Sequence, residues 1–200
     1  MNALTNHLND FLPKGWESDV RNLRVYNHSL TVAKAASSVA SKISQMDVDK
    51  AYIYGLMHDV GKFYLSKGEI YKHPRVGYEL LKSLNYDIAK ICISHPFPDF
   101  FSYEHLLHYC RNDTLEANLV FDILKTLEKD NYVELIQFCD KISGVDSYVS
   151  IKDKVEWYTK TCDIGQTELS RCYLKQLNSI KSKFDKLISE DVYTYLGVPS

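Results

Sequence analysis

Apolar positions recur at spacings of three and four residues over most of the chain, as expected of helices with one face turned inward. From Ser18 or Asp19, either of which suits an N-cap, toward Gln45, two such stripes run side by side. Leu23, Tyr26, Leu30, Ala33, Ala40 and Ile43 form one; Val25, Val32, Ala35 and Val39 form the other. So wide an apolar arc predicts a long central helix. Asp47 or Asp49 can cap the next helix, AYIYGLMHDV, which is apolar nearly all round and is expected to stop at Gly61. Pro74 suits the first helical position of PRVGYELLKSL. Asp87 can cap IAKICIS, with Pro96 pushing His95 out of helical geometry. Thr114 opens a helix through Leu127, and Asn131 with Glu134 reads as a capping box before YVELIQFCDKIS. Leu169, Tyr173, Leu177, Ile180, Phe184 and Leu187 mark a last amphipathic helix, while PFPDFFSYEH is the least regular stretch. No convincing strand pattern or internal repeat interrupts this. The expected fold is an all-α, single-domain bundle of about six to eight helices.

Composition narrows the picture without changing it. The chain has 200 residues, 45% apolar and 25% charged, enough for one substantial core. Its 24 Lys+Arg and 26 Asp+Glu leave a net charge of −2, which argues against general nucleic-acid binding because no basic stripe can track a phosphate backbone. Cys92, Cys110, Cys139, Cys162 and Cys172 include no C-x-x-C pair and fit reduced thiols better than a disulfide scaffold. No apolar run reaches transmembrane length, and MNALTNHLNDFLPKGW lacks the basic and apolar regions of a signal peptide. These features lead to the expectation of a cytoplasmic protein with no membrane partner. Nothing in the pattern sets an oligomeric state.

The candidate chemistry lies in polar residues on apolar faces, where an unsatisfied imidazole or carboxylate is costly. His28 follows Val25 by three residues and precedes Val32, Ala35 and Val39 by four, seven and eleven. His58 and Asp59 follow Ile53, Tyr54, Leu56 and Met57 with no charge between. His95 lies three residues beyond Cys92, and Asp140 four beyond Ile136. His73 stands just before Pro74, seven residues ahead of Leu80. One inward histidine is ordinarily a hydrogen-bonded core residue, and one inward aspartate a cap or ion-pair partner. Six such groups on five segments are hard to satisfy pairwise. A metal centre satisfies them together, since imidazole and carboxylate suit Zn, Fe, Mn or Ni and the ion offsets the buried charge. Four His and two Asp exceed one tetrahedral site, which favours two ions sharing a carboxylate.

The ordered set His28, His58-Asp59, His73, His95 and Asp140 resembles the two-metal, H–HD–H–H–D branch of the HD-domain superfamily of metal-dependent phosphohydrolases. HDVGK at 58–62 is close to the HDIG form, KHPRVG and ISHP match the extra histidines, and FCDKISG resembles the closing motif. The resemblance covers roughly residues 20–150 and implies one HD-type domain over 1–200, with a C-terminal helical extension at 151–200. It implies that His28, His58, Asp59 and Asp140 hold one divalent transition-metal ion (Fe, Mn, Ni, Zn or Co). Asp59 would bridge to a second ion completed by His73 and His95. Two such ions leave the site net positive and acidify a bridging water, which as hydroxide attacks phosphorus in line. Asp59 and Lys62 are thus the candidate catalytic residues, and the implied substrate is a small phosphorylated molecule, a nucleotide by preference.

Lys62, Arg24 and Arg75 are candidate phosphate-binding residues, with Lys72 beside them; each is equally compatible with an ordinary surface charge. PFPDFF stands where the GYP-type cyclic-dinucleotide phosphodiesterases carry further ligands, and the nearest remaining likeness is to the bacterial HD-type diadenosine tetraphosphate hydrolases. His105 and His108 lack partner ligands and suit a pocket edge or a solvated face, and Tyr103 or Phe101 could stack on a base. Two other functions use the same ligands: a di-iron oxygenase of HD type, and a ligand-sensing module without turnover.

Overall fold

The computed structural model describes residues 11–98, 102–161 and 168–199. Within them the regular structure is helical: α1 (Val20–Ala40), α2 (Val48–Met57), α3 (His73–Leu81), α4 (Tyr86–Ser94), α5 (Tyr103–Tyr109), α6 (Thr114–Leu124), α7 (Asn131–Ile142), α8 (Ile151–Thr161), α9 (Glu168–Ile188) and α10 (Val192–Leu196). Short 3-10 turns at Val60–Tyr64 and Lys67–Lys72 join α2 to α3. Among the described residues, one antiparallel bridge pairs Ser143 with Tyr148. The all-α expectation holds, with more helices than the apolar pattern marks, because α5 and α10 are too short to show a period and α8, IKDKVEWYTKT, is mostly polar. Phe101, Cys162 and residues 1–10 lie outside the described residues; Cys92, Cys110, Cys139 and Cys172 are free thiols.

The caps explain where the helices begin. Asp19 accepts a hydrogen bond from the Arg21 N–H at 2.7 Å and Asp47 from the Lys50 N–H at 2.9 Å. Two starts, those of α4 and α7, differ from the sequence expectation, while α6 begins at Thr114 as expected. Asn85, Asp113 and Asp130 cap α4, α6 and α7, accepting from the N–H groups of Ile88, Glu116 and Val133 at 3.1, 3.1 and 2.9 Å. In each case a short side chain just upstream reaches the exposed first-turn N–H groups, so Asp87 and Asn131 fall inside their helices and Thr114 is the first residue of α6. Asp87 instead meets Lys50 at 3.0 Å and the Tyr54 hydroxyl at 3.1 Å. Pro74 is the second residue of α3, and α1 ends at Ala40 rather than near Gln45.

Two further differences shape the site. The helix carrying the His58-Asp59 pair ends at Met57, not at Gly61, because Asp59 leaves helical geometry (φ −103°, ψ 10°). His95 stays helical (φ −58°, ψ −32°) despite the following Pro96, its N–H bonded to the Ile91 carbonyl at 3.0 Å. That hydrogen bond offsets the steric bias a proline imposes on the residue before it.

One buried cluster joins Val32, Ala35, Ala36 and Val39 of α1 to Ile136 and Phe138 of α7, Leu177 and Phe184 of α9, and Val192 of α10. The helices after residue 150 therefore share the core of the motif-bearing ones. A second cluster gathers Leu56, Met57, Val60, Leu81, Ala89 and Cys92 around the turn after α2. The small residues of α1 let α2 lie against it. A Cβ on Gly55 would stand 2.6 Å from the Ala33 Cα, closer than real contacts allow.

Candidate metal centre

All six predicted ligands meet in one place. His28 comes from α1, His58 and Asp59 from the end of α2, His73 from the start of α3, His95 from the end of α4, and Asp140 from α7. His58 and Asp59 are fully buried, His73, His95 and Asp140 are 5% exposed or less, and the His28 side chain keeps 14%. The two oxygens of Asp59 face different partners. Oδ2 lies 3.8 Å from His28 Nε2 and 3.4 Å from His58 Nε2. Oδ1 lies 3.1 Å from His73 Nε2 and 3.4 Å from His95 Nε2. Asp140 Oδ1 closes the first group, at 3.0 Å from His28 Nε2 and 3.7 Å from His58 Nε2. Ligand atoms of His28, His58 and Asp140, and again of His58, Asp59 and His95, lie within 4.8 Å of one another.

Backbone carbonyls decide how the rings present themselves. Each Nδ1 faces a carbonyl: His28 meets Gly144 at 3.0 Å, His58 meets Gly55 at 2.6 Å, His73 meets Ile70 at 2.7 Å and His95 meets Cys92 at 2.9 Å. A carbonyl only accepts, so Nδ1 carries the proton and donates, leaving the Nε2 lone pairs aimed inward in the neutral rings. His73 and His95 then face each other Nε2 to Nε2 at 3.2 Å, two acceptors that need a cation or proton between them. His58 Nε2 and Asp59 Oδ1 are buried and make no hydrogen bond among the described residues. Orphaned acceptors, a converging imidazole–carboxylate donor set and fixed ring tautomers are what a divalent transition-metal ion requires.

The electrostatics agree. Burial disfavours charge on His58, but Asp59 and Asp140 outweigh it and raise the ring to about 9. Burial pushes His95 down to about 3 and also lowers His73. Burial opposes charge on Asp59 as well, yet His58 and Lys62 hold it well below the usual carboxylate range. Asp140 is held low in the same way, by Lys141, His28 and His58 against its burial. Both carboxylates are therefore ionised and ready to ligate.

The substrate-binding candidates separate. Lys62 Nζ reaches Asp59 Oδ2 at 2.5 Å, so it does swing across the cluster. Arg24 is exposed on α1, one turn before His28, with no ion pair among the described residues. Arg75 does not join the site. Its Nε lies 2.9 Å from both oxygens of Glu116 and its Nη2 2.7 Å from one, so the guanidinium neutralises a buried glutamate and the phosphate-binding expectation for it is withdrawn. Lys72 pairs with Glu69 at 3.2 Å. His105 and His108 are half-buried on α5 and belong to neither group of candidate ligands. The sequence reading missed Lys141, whose ammonium contacts Asp140; Lys154, whose Nζ donates to the Ser143 carbonyl at 2.8 Å; and Tyr109, whose hydroxyl lies 3.4 Å from His73 Nδ1. Lys141 adjoins a ligand in sequence and was findable; Lys154 and Tyr109 carry no local signal.

A helical bundle that gathers four imidazoles and two carboxylates, their lone pairs converging, has a donor set that could hold a metal ion. Residues 25–144 match the family model of the HD domain, more than half the chain, and the protein belongs to that family. HD domains bind divalent metals, and most are metal-dependent hydrolases. Comparison with curated proteins and with solved structures finds no match. No helix among the described residues is long and apolar enough to cross a membrane.

Proposed function

We propose that the chain is a phosphohydrolase with two divalent ions, cleaving a phosphoester or phosphoanhydride of a nucleotide or other small molecule. The observation that carries this reading is the division of Asp59, with one oxygen toward His28 and His58 and the other toward His73 and His95. His28, His58 and Asp140 would hold one ion, His73 and His95 the other, and Asp59 both. Ions held there supply Lewis acidity for a phosphoryl oxygen and an acidified water as nucleophile. The chain's own contribution is positioning. The carbonyls of Gly144, Gly55, Ile70 and Cys92 fix the four rings, and the low pKa of Asp59 and Asp140 keeps both anionic. Lys62, beside Asp59, meets charge developing on the transferred phosphoryl group, an interaction stronger in the transition state than before it. Because α9 and α10 share the core cluster with α1 and α7, the whole chain is read as one domain.

Elemental analysis and a phosphoester panel test the reading together. The purified chain should carry roughly two transition-metal ions, and Asp59→Asn, which removes the bridging charge but keeps the shape, at most one. Reconstitution with Mn, Fe, Co, Ni or Zn should yield phosphate release from some member of the panel. Oxygen uptake without phosphate release would favour the di-iron oxygenase instead. Full metal content in Asp59→Asn would overturn the bridging role.

A further inference from the structure

Two of the chain's five prolines directly follow a histidine, Pro74 after His73 and Pro96 after His95. These histidines are the pair that faces Asp59 Oδ1 and each other. His28 and His58, which face Oδ2, are followed by Ser29 and Asp59. A proline suits a helix start or stop, but neither role explains why it should stand beside these two rings. The hydrogen bonds do. In an α-helix each carbonyl accepts from the N–H four residues on. The carbonyls that would meet residues 74 and 96 are those of Ile70 and Cys92, and proline has no N–H to give them. His73 Nδ1 lies 2.7 Å from the Ile70 carbonyl and His95 Nδ1 2.9 Å from the Cys92 carbonyl. Each ring thus donates to the acceptor that the proline after it leaves open. The Ile70 carbonyl also takes the His73 backbone N–H, so there the second lone pair is at stake. His58 reaches the Gly55 carbonyl in the same way at 2.6 Å, where α2 has already ended at Met57, and needs no proline.

The chain after His95 is satisfied without further helical N–H groups. Pro98 withholds the donor four residues beyond Ser94, as Pro96 does for Cys92. The Ser94 carbonyl accepts instead from the Phe97 N–H at 3.0 Å and from Nε2 of the fully buried Gln137 at 2.9 Å. The same Nε2 reaches the Phe97 carbonyl at 2.9 Å. Lys129 donates to the Pro98 carbonyl at 2.6 Å and the Tyr173 hydroxyl to the Pro96 carbonyl at 3.4 Å. Gln137 lies on α7 three residues before Asp140, so it ties the turn bearing His95 to the helix bearing a ligand of the other group. Side chains therefore cap the end of α4, and the Cys92 carbonyl is left to the imidazole. An N–H at position 96 would complete one more helical bond to that carbonyl and compete with His95 Nδ1–H. A ring that loses its acceptor is free to turn and to carry its proton on Nε2, the atom aimed at Asp59 and His73. A protonated Nε2 has no lone pair to offer an ion.

We propose that Pro96 and Pro74 are positioning residues: by withholding the N–H groups that would compete for the Cys92 and Ile70 carbonyls, they lock His95 and His73 with bare Nε2 atoms toward the second ion. The inference rests on the two-ion reading and assigns part of the second ion's affinity to two prolines rather than to the ligands alone.

Manganese titration of the metal-free chain, with free manganese read by electron paramagnetic resonance, gives the affinity for each ion. Pro96→Ala, which restores the N–H, should weaken the second ion by about 10- to 100-fold and leave the first unchanged. Pro96→N-methylalanine, made by cell-free translation, has neither the N–H nor the ring, and should recover the parental second affinity. Nitrogen NMR of the imidazoles in the metal-free chain near neutral pH supplies a signature that a loss of packing would not produce. His95 should carry its proton on Nδ1 in the parent and in the N-methylalanine variant, and partly on Nε2 in Pro96→Ala. If Pro96→Ala fails to fold, Pro74→Ala takes its place, with His73 as the reporting ring. An unchanged second affinity or an unchanged tautomer in the alanine variant overturns the proposal, and so does an N-methylalanine variant as weak as the alanine one. Two ions bound with affinities indifferent to the prolines would refute this inference alone. A parent chain that takes up one ion or none would refute the two-ion reading beneath it.

Discussion

Replacing Gly61 by alanine should damage the fold and the metal centre together. Gly61 sits in the turn that carries Asp59 into the cluster, pressed against the first turn of α3. A Cβ there would stand 2.2 Å from the His73 carbonyl oxygen and 2.7 Å from the Gly77 nitrogen, both backbone atoms. Contacts under 3.0 Å are not seen for real Cβ atoms, so α3 and the turn must separate by about 0.8 Å. Overpacking of this kind costs about 1–3 kcal/mol. At roughly 2–4 °C per kcal/mol for a chain of this size, Tm should fall by about 2–12 °C. The same movement carries His73 away from Asp59, now 3.1 Å apart, whereas metal–ligand distances tolerate only about 0.2 Å. Scanning calorimetry reads the first effect and elemental analysis the second, as the loss of one ion per chain. A Gly61→Ala protein with parental Tm and parental metal content would refute the argument that this close approach sets the Asp59–His73 geometry.

Two further outcomes test the electrostatics. Arg75→Met should lower stability by roughly 2–4 kcal/mol, discounted from the cost of breaking a fully buried pair because a quarter of the Arg75 side chain reaches solvent, while Glu116 is only 4% exposed. Adding Glu116→Leu should recover most of the loss in chemical denaturation; a stable Arg75→Met with a raised substrate KM would instead return Arg75 to phosphate binding. The metal-free chain should be most stable near pH 6.5. His58, raised to about 9, contributes stability that is present below the unfolded value of about 6.5 and lost as pH rises toward 9. His95, lowered to about 3, and His73, also lowered, contribute stability present above about 6.5 and lost as pH falls. A bound ion replaces the proton on His58, so metal should blunt the alkaline loss; a metal-free Tm that climbs between pH 6.5 and 9 would count against the assigned charge on His58.

Much of this protein is legible along the chain because a helix repeats every 3.6 residues, so local spacing reports which face turns inward. That is why His28, His95 and Asp140 stand out as polar residues on apolar faces, and why α1, α7 and α9 follow the expected pattern. Cap positions were legible only to within a residue or two, since Asp, Asn and Thr all present short oxygens and the backbone decides which one reaches an N–H, as Asn85 does instead of Asp87. Tertiary contact decided the rest. Arg75 could not be told from a phosphate ligand until Glu116, 41 residues away, was seen to hold it. Lys154 belongs to no motif and comes near the site only because α8 packs against the end of α7. The sequence named six ligands in order; folding alone turned one oxygen of Asp59 toward each pair of histidines and fixed every ring against a carbonyl. Such directions depend on separations of tenths of an ångström between distant segments, which no pattern of neighbouring residues encodes.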